Sequence, residues 1–523
     1  MTRPETADLT SPEVASVLPQ RISAVFARAG VATAAFWTVL GVLYVTLTIN
    51  LSRTLSIANL ADFDESRHAV NAYEMLKSGN WIVNTYLGNV DYWNLKPPLS
   101  FWTVMLSYDV FGFTPFALRF PSMLAMLATT AVVTWYALRR GGRAAALGTT
   151  AAMVGCYPLI IQHAGTSGDP DALFVLFITI GLVAVFESVE KPWAIGLATL
   201  GFSLAFLTKS FHAGIIIVVA LIFLVLQRRR LAYRPRHALY AAAGLIPLVA
   251  WAAARASFDG TEFFTSMVSY DLLARSSTAI EGHSGSRIYY IELLQNRYGP
   301  WLILLAAAAV GAAAAYGASS RDSLLRPRSL PLWVGPLVWA LVIQIAFGLV
   351  STKIAWYVNG SYPAIALLIG FLLQAAVRDR SRAVRITLAG VAVYATLMGV
   401  NLVNDSLNER APMPAQVTLS ELQRDPEYAG ATIYLGDGIA QADQLATGAP
   451  ATALAGDWPQ SLTASAELYG DLGTADGGVD AFLASSGDRA LILVKTGSAA
   501  DAALGGIPVT RVAEYRDFYI AER

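Results

Sequence analysis

The chain has little charge and almost no cysteine, and both shortages narrow the class of protein. Only 14% of its 523 residues are Asp, Glu, Lys or Arg, whereas 55% are hydrophobic, and soluble domains carry roughly 25% charged residues. The net charge is zero and no basic block occurs, which argues against a nucleic-acid partner. The single cysteine, Cys156, excludes an intramolecular disulfide, and its place in an apolar run favours a packing role over a reactive thiol.

Long apolar runs account for the missing charge and predict a polytopic α-helical membrane protein. Each run is close to the roughly 20 residues that cross a bilayer. We predict about eleven spans, near 31–53, 115–138, 144–163, 171–190, 193–208, 212–227, 238–256, 299–318, 331–350, 361–377 and 386–403. The run 99–111 is too short to cross and is predicted to lie at the membrane surface. The first run is too long for a signal peptide, so we expect an uncleaved span.

Basic residues gather in alternate loops, and this pattern predicts the orientation of the chain. With segment 1–30 in the cytoplasm, the inner loops hold the basic residues Arg139, Arg140, Arg143, Lys191, Arg228, Arg229, Arg230, Arg234, Arg236, Arg321, Arg326, Arg328, Arg378, Arg380, Arg382 and Arg385. The remaining loops then face outward, and they contain the unusual polar residues: 54–114, 164–170, 209–211, 257–298 and 351–360.

The tail from 404 to 523 differs in composition from the apolar module 31–403, because Asp, Gly, Ser and Thr become frequent. Short β-type runs at 431–435, 490–494 and 512–520 alternate with helix-like pieces at 419–428 and 478–484. We therefore predict a small soluble α/β domain on the outer side. It contains no glycine loop of the nucleotide-binding kind.

The first outer loop carries the densest group of charges, including Asp62, Asp64, Glu65 and Arg67. Adjacent carboxylates raise one another's pKa while a nearby arginine lowers it, which is how a general base is brought close to the working pH. Charge of mixed sign beside a membrane span is a functional-site hypothesis by default. The alternative is structural: Asp62 or Asp64 caps the helix that follows.

Cations and further acids lie in the same loop and in the other outer loops. Lys96 precedes two prolines and is a compact charge suited to phosphate oxygens, although a lysine that snorkels at the interface is the alternative. The other outer polar residues are His163, Asp169, Asp171, Lys209, His212, His283, Lys353 and Tyr357. They predict an outward cavity for an anionic head group. The histidines lack the close spacing of zinc motifs, so no structural zinc is expected.

The order of these motifs resembles the GT-C glycosyltransferases that use polyprenyl-phosphate sugars, above all the branch of the protein O-mannosyltransferases and the lipid A aminoarabinose transferase. The resemblance covers about residues 31–400. The matching segments are Asp64-Glu65 with Arg67, Glu74-Met75-Leu76, Ser78 to Trp81, Lys96 to Leu99 with Trp102, Leu118 to Ser122, Asp169 to Leu173, Leu207 to Lys209, and Thr352 through Tyr357 to Ala364.

The resemblance implies roles for individual residues. Asp64, with Glu65 beside it, would be the base for attack at the anomeric carbon, with inversion. The departing lipid phosphate would be held by the cations and the tyrosine Arg67, Lys96, Lys209, Lys353 and Tyr357. The acceptor side would be supported by Asp169, Asp171, His283 and Tyr92. No cofactor is implied, although the Asp62-x-Asp64 pattern binds a divalent ion in other glycosyltransferases. Leu95 before Lys96 departs from the acidic residue common at that position.

We therefore predict a glycosyltransferase of the bacterial cytoplasmic membrane that moves one sugar from a polyprenyl-phosphate donor to an envelope lipid or glycan at the outer face. A protein O-glycosyltransferase with a similar donor is one alternative. A transporter or flippase of lipid-linked sugars is another, and it would place ionisable residues near the bilayer midplane.

Overall fold

The chain folds into a helical bundle with a small α/β domain at one end. The computed structural model describes residues 12–277, 283–318, 330–378, 381–439, 454–455, 457–485 and 489–523. The helices before the domain are α1 Pro12–Ser52, α2 Asp64–Ser78, α3 Leu99–Phe111, α4 Pro115–Arg140, α5 Arg143–Val154, α6 Tyr157–Ile161, α7 Asp171–Ser188, α8 Ile195–Lys209, α9 Gly214–Leu226, α10 Pro235–Asp259, α11 Glu262–Ser266, α12 Arg275–Ser277, α13 Tyr289–Ala318, α14 Leu330–Leu349, α15 Tyr362–Val377 and α16 Arg382–Glu409. A π-helical stretch, Met267–Ala274, joins α11 to α12.

Within the described residues, eight helical runs are long and apolar enough to cross a membrane. They are Gly30–Ser52, Pro115–Arg140, Asp171–Ser188, Pro192–Leu226, Pro235–Asp259, Tyr289–Ala314, Ala355–Val377 and Arg382–Asn408, and a shorter apolar helix covers Trp333–Leu349. The prediction of a polytopic helical membrane protein is confirmed. The number of crossings stays a prediction.

Three differences account for the eight runs found where eleven spans were predicted: one predicted span is divided, two are joined in one run, and the predicted span 331–350 corresponds to the shorter helix Trp333–Leu349. The predicted span 144–163 is divided into α5 and α6 at Gly155 and Cys156. The run Pro192–Leu226 contains two helices, α8 and α9, because the backbone reverses at Ser210, which has a φ of 45°. Lys209 at the end of α8 contacts the first residue of α7, whereas Tyr233, beyond α9, contacts Ser188 at the last turn of α7. Helices α8 and α9 therefore run in opposite directions.

The α/β domain contains a five-stranded sheet. The strands outside the bundle are β3 Thr432–Leu435, β4 Leu454–Ala455, β5 Trp458–Pro459, β6 Gly473–Ala475, β7 Ala490–Lys495, β8 Thr510–Tyr515 and β9 Phe518–Glu522, and the helices are α17 Pro414–Ser420, α18 Gln460–Ser465, α19 Gly478–Ala484 and α20 Ala499–Leu504. The sheet order is β6-β3-β7-β9-β8. Strand β3 is parallel to β6 and β7, and β9 is antiparallel to β7 and β8. The predicted α/β class of the tail is confirmed.

The two faces of β7 show how the domain is attached to the bundle. Successive side chains of a strand point to opposite faces. Ile492 and Val494 pack with α19 and α20, while Leu491 and Leu493 belong to a core that also contains residues of α2 and α3. Both faces are covered, which is why β7 reads as a continuous apolar run. The domain and the first loop therefore share one hydrophobic core.

Helix α3 lies between the first loop and the bundle. It has 13 residues, which is too few to cross a bilayer, and its buried residues Phe101, Val104, Met105 and Tyr108 belong to the core shared with the domain. The first loop also contains a short β-hairpin, in which strand β1 Thr85–Tyr86 pairs with strand β2 Asn89–Val90. The prediction of a short helix at 99–111, distinct from the spans, agrees with this arrangement, and its location at the membrane surface stays a prediction.

Candidate active site

Helix α2 begins at Asp64 without the cap that the sequence suggested. The residue before it, Phe63, has a φ of 64° and no side chain caps the helix. A bulky residue with positive φ is strained, and such strain persists only where surrounding contacts hold it. Asp62 and Asp64 have different partners on either side of this turn: Asp62 contacts the α/β domain, and Asp64 contacts Lys96. The alternative in which either aspartate caps α2 is wrong.

Asp64 and Lys96 form a partly exposed ion pair within the first loop. The Nζ of Lys96 lies 2.9 Å from Oδ1 of Asp64, and the side chains are 16% and 27% exposed. Lys96 also donates to Oδ1 of Asn94 at 2.9 Å, so both residues of the Asn-Leu-Lys motif face one point. Burial by itself would raise the pKa of Asp64, but the charges of Lys96, His163 and Lys209 outweigh this effect. The pKa of Asp64 therefore lies below its ordinary value. The carboxylate is therefore ionised at neutral pH and able to accept a proton.

A second ion pair lies beside the first. The Nδ1 of His163 is 3.2 Å from Oδ2 of Asp169, whose side chain is 2% exposed. The imidazole stacks on Trp356 with ring centroids 3.5 Å apart, and His163 itself has a φ of 49°. Burial lowers the pKa of His163, but Asp169, Asp64 and Asp171 raise it to about 9. His163 is thus a cation at neutral pH.

Two further pairs complete a ring of charges at this end of the bundle. Lys209 donates to both carboxylate oxygens of Asp171 at 2.6 and 2.7 Å, and its Nζ lies 5.7 Å from the ring centre of Tyr357. The tyrosine hydroxyl accepts from Nη1 of Arg275 at 3.3 Å, while Nε of Arg275 is 3.4 Å from Asp271. Burial raises the pKa of Asp271, and Arg275 and Lys96 oppose this.

Three of these groups have the geometry of a metal site. Ligand atoms of Asp64, His163 and Asp169 lie within 4.8 Å of one another, and two carboxylates with an imidazole suit a divalent ion. The same carboxylates raise the pKa of His163 to about 9, so a metal that binds the imidazole would have to displace its proton. In the predicted Asp62-x-Asp64 pattern, Oδ1 of Asp62 accepts a hydrogen bond from the backbone N–H of Ser461, and a metal role for this pattern stays a prediction.

Glu65 faces away from Asp64 and is fully engaged elsewhere. It forms an ion pair with Arg119 at 2.7 Å, and both side chains are 3% exposed. Its oxygens also accept from the N–H groups of Ala61 and Gly168, and Arg119 donates to backbone carbonyls of the segment that leads into α2. Burial by itself would raise the pKa of Glu65, but Arg119 outweighs this effect, so the pKa lies below its ordinary value. Glu65 therefore ties α2, α4 and the loop before α7 together.

Arg67 is also engaged in the fold of the loop. Its Nε and Nη2 bind the two oxygens of Asp91 at 2.8 and 2.9 Å, and its guanidinium lies over the rings of Tyr86 and Trp93. The same carboxylate accepts from the N–H groups of Trp93 and Asn94. Arg67 thereby shapes the turn that presents Lys96, and its predicted role as a phosphate ligand stays a prediction.

Three other predicted residues lie outside the four ion pairs. The hydroxyl of Tyr92 donates to Asp259 at the end of α10 at 3.0 Å. The carbonyl of His283 accepts from the N–H of Lys353 at 3.0 Å. The Nζ of Lys353 donates to carbonyls of the last turns of α14, including Gly348 at 2.8 Å, which is a favourable place for a cation. Their roles in substrate binding stay predictions.

The sequence prediction missed Asp271 and Arg275, which join the group from the helical stretch that follows α10. Their spacing of four residues in an outer loop was the available signal, since i,i+4 pairs face each other on a helix. Asp91 was missed too, and only its neighbour Asn94 stood in a motif. These residues became identifiable when the fold brought their partners together.

Comparisons with known proteins agree with the motif pattern. Residues 95–253 match the family described as dolichyl-phosphate-mannose-protein mannosyltransferase. Undecaprenyl phosphate-alpha-4-amino-4-deoxy-L-arabinose arabinosyl transferase 2 of Sodalis glossinidius is 30% identical over 324 residues, which are 60% of this chain and 56% of that protein. The corresponding transferase of Serratia proteamaculans is 27% identical over 343 residues, 63% of this chain and 58% of that protein. The matches thus span less than two thirds of these relatives.

Solved structures show the same fold. ArnT from Cupriavidus metallidurans, bound to undecaprenyl phosphate, has a TM-score of 0.65 at 18% identity, covering 94% of this chain and 98% of ArnT. An oligosaccharyltransferase from Archaeoglobus fulgidus has a TM-score of 0.51 at 11% identity, covering 88% of this chain and 69% of that one. The predicted resemblance to the GT-C glycosyltransferases is confirmed, and the fold is theirs.

Proposed function

We propose that the protein is a membrane glycosyltransferase that moves one sugar from a polyprenyl-phosphate donor to a lipid or glycan of the cell envelope. The observation that carries the proposal is the pair of Asp64 and Lys96. Asp64 is 27% exposed and paired with a cation, whereas Glu65, Asp91, Asp169 and Asp171 have side chains that are at most 5% exposed. Asp64 is thus the carboxylate of this group that a substrate hydroxyl can best reach.

The reaction follows from this arrangement. The acceptor hydroxyl gives its proton to the Asp64 carboxylate while its oxygen attacks the anomeric carbon. The bond from that carbon to the phosphate oxygen breaks on the opposite face, so the configuration inverts and a lipid monophosphate leaves. Proton abstraction by a positioned base contributes about 10²–10⁴-fold in rate. Stabilisation of the leaving phosphate by positioned cations adds the larger share.

Lys96 is central to both halves of the reaction. In the structure it shares its charge between Asp64 and Asn94. A bound donor phosphate would compete with Asp64 for Lys96, and each hydrogen bond that Lys96 gives to the phosphate weakens its hold on the carboxylate. The pKa of Asp64, which Lys96 lowers, then rises, and a better base results when the donor is present.

The remaining cations stand around this pair, and we assign them to the donor. Lys209 and Arg275 lie at the ring and hydroxyl of Tyr357, and the charges of Lys209 and His163 reach Asp64. We propose that the enzyme works without an essential metal, with these cations in its place. A chelator should then leave the transfer rate unchanged.

The location of the ionisable residues favours transfer over transport. Asp171 is the first residue of α7 and Lys209 is the last residue of α8, so the charges lie at helix ends. A transporter of lipid-linked sugars would place such groups near the middle of its spans. We place the site at the outer face of the bacterial cytoplasmic membrane, because Arg140, which belongs to a loop predicted to be inner, lies at the other end of α7 beside Glu187.

Mass spectrometry of envelope lipids, glycans and glycoproteins tests the proposal and identifies the acceptor. Cells that lack the gene should lose one sugar from one product, and wild type but not Asp64→Asn should restore it. Loss of a sugar from a protein would support the protein O-glycosyltransferase alternative. Equal rescue by Asp64→Asn would refute the role of Asp64 as base and favour transport.

A further inference from the structure

The segment that leads into the catalytic helix is held by the distant α/β domain. Oδ1 of Asp62 accepts from the backbone N–H of Ser461 at 2.7 Å, across 399 positions of the chain. Ser461 lies in the first turn of α18, where N–H groups have no partner within the helix. The bond is buried and its acceptor is charged, which makes it one of the stronger kinds of hydrogen bond.

Two more contacts fix the backbone just before Asp62. The side-chain amide of Gln416 accepts from the N–H of Leu60 at 2.7 Å and donates to the carbonyl of Leu60 at 3.0 Å. The N–H of Met413 donates to the carbonyl of Ala58 at 2.9 Å. Gln416 is completely buried, so its amide has given up solvent for this pairing. The chain entering α2 is therefore held by the domain at Ala58, Leu60 and Asp62.

The other end of α2 is held by the same domain. Lys77 forms an ion pair with Asp471 at 2.5 Å, and Tyr73 donates a hydrogen bond to the same carboxylate. Arg424 donates to the hydroxyl of Tyr73 at 3.3 Å. Between the two ends, apolar residues of α2 and α18 share one core. The domain thus grips the whole length of the helix that begins with Asp64.

The backbone conformation of Phe63 couples these contacts with the domain to the position of Asp64. With a φ of 64°, Phe63 directs Asp62 to the domain and leaves Asp64 beside Lys96. If Asp62 loses its partner, the strain at Phe63 is no longer held and the first turn of α2 is free to relax. A shift of about 1 Å in a catalytic group lowers rates by up to about 100-fold.

We propose that the α/β domain is a positioning element of the active site and that Asp62 is the positioning residue through which it acts. Asp62 fixes the orientation of Asp64 by binding α18, rather than by binding a metal or substrate. The effect on catalysis rests on the proposed function, whereas the effect on the geometry of α2 does not.

Paired substitutions in the full-length protein, measured in two ways, test this proposal. Asp62→Ala removes the acceptor, while Asp62→Asn keeps an oxygen in the same place. Asp501→Ala is the matched control, because Asp501 accepts from Gly497 and Tyr519 in the far part of the domain. The first readout is hydrogen–deuterium exchange of peptides that cover residues 58–70, and the second is the turnover of the polyprenyl-phosphate sugar identified in envelope analysis.

We expect Asp62→Ala to speed exchange in 58–70 at least tenfold and to lower kcat between about 10- and 100-fold, with KM for the donor within about twofold. Asp62→Asn should restore most of both, and Asp501→Ala should change neither. Unaltered exchange and kcat in Asp62→Ala, or an equal loss in Asp62→Asn, would overturn the proposal. If the wild-type protein transfers no sugar, the proposed function fails, but the exchange data still decide the role of Asp62.

Discussion

The two ends of α7 both carry buried carboxylates with basic partners, but they differ in what those partners leave available. At one end Asp171 binds Lys209 beside the pairs of Asp64 and Asp169. At the other end Glu187 binds Arg140 at 2.6 Å. The helix between them has 18 residues, a length of about 27 Å. The opposite end is a local clamp between neighbouring helices, whereas the first end gathers charges from many separate segments around an accessible carboxylate.

A charge cluster at a membrane boundary therefore indicates chemistry only when it converges on an exposed group. Arg140 also binds Glu190 at 2.8 Å, and that glutamate is 44% exposed. Arg139 and Lys191 both lie 3.9 Å from Glu187 as well. These contacts are redundant and join α4 to the end of α7. At the site, each acid has a different cation, and the four pairs meet around Asp64.

Among substitutions at the two ends of α7, we expect Lys209→Ala to have the largest effect. It leaves Asp171 as an unpaired buried carboxylate, which costs about 3–5 kcal/mol of stability, and it removes a cation assigned to the leaving phosphate. We expect transfer to fall about 100-fold and the unfolding temperature to drop, as measured by sugar transfer and by thermal denaturation in detergent. Lys209→Arg should recover most of the stability. A Lys209→Ala protein with normal transfer would remove Lys209 from the site.

The pH dependence of sugar transfer should show a smaller effect that arises only at the end of α7 near His163. The pKa of His163 rises from 6.5 to about 9 in the fold. Its ion pair with Asp169 therefore stabilises the folded site fully below pH 6.5, and this stabilisation is lost as the pH rises through about 9. We expect transfer by the wild type to decline over that interval. His163→Asn, which tolerates the positive φ, should be slower but lack this decline. The same alkaline decline in His163→Asn would assign it to another group.

The smallest effect is expected from Arg140→Ala at the opposite end. Arg139 and Lys191 remain near the buried Glu187 and still offset part of its charge, so the loss of stability should be smaller than the loss of about 3–5 kcal/mol expected when a buried pair loses one partner. Transfer should stay within about twofold of wild type, with a slightly lower unfolding temperature. A loss of transfer as large as that of Lys209→Ala would show that the two ends are not functionally distinct.

Part of the charged cluster was predictable from the sequence as a set of residues, whereas the partners of those residues were much less predictable. Asp64, Lys96, Asp171 and Lys209 lie together as the motif order implied, because they follow or precede apolar runs on the same predicted side. Arg67, predicted beside them, instead binds Asp91. Partner choice depends on tertiary packing, and a single sequence gives no signal for it.

The fold shows the same limits at element ends. Strand β7 and helix α19 were predicted almost to the residue, because each is a short apolar run between turn residues. The predicted helix 419–428 is wrong: α17 ends at Ser420, and Gln423 and Arg424 both have positive φ. The predicted strand 512–520 is a hairpin of β8 and β9 that turns at Arg516, where φ is 53°. Neither turn contains a glycine, the residue that would have indicated a turn in the sequence.

The assignment of Asp64 as the catalytic base is best tested by a single-turnover assay of purified wild-type and Asp64→Asn protein, with donor affinity measured on the same samples. We expect Asp64→Asn to bind the polyprenyl-phosphate sugar at least as tightly as wild type, because Lys96 is released from its carboxylate partner. The rate of sugar transfer should nevertheless fall about 10³-fold. Transfer by Asp64→Asn at the wild-type rate would contradict the assignment of Asp64 as the catalytic base.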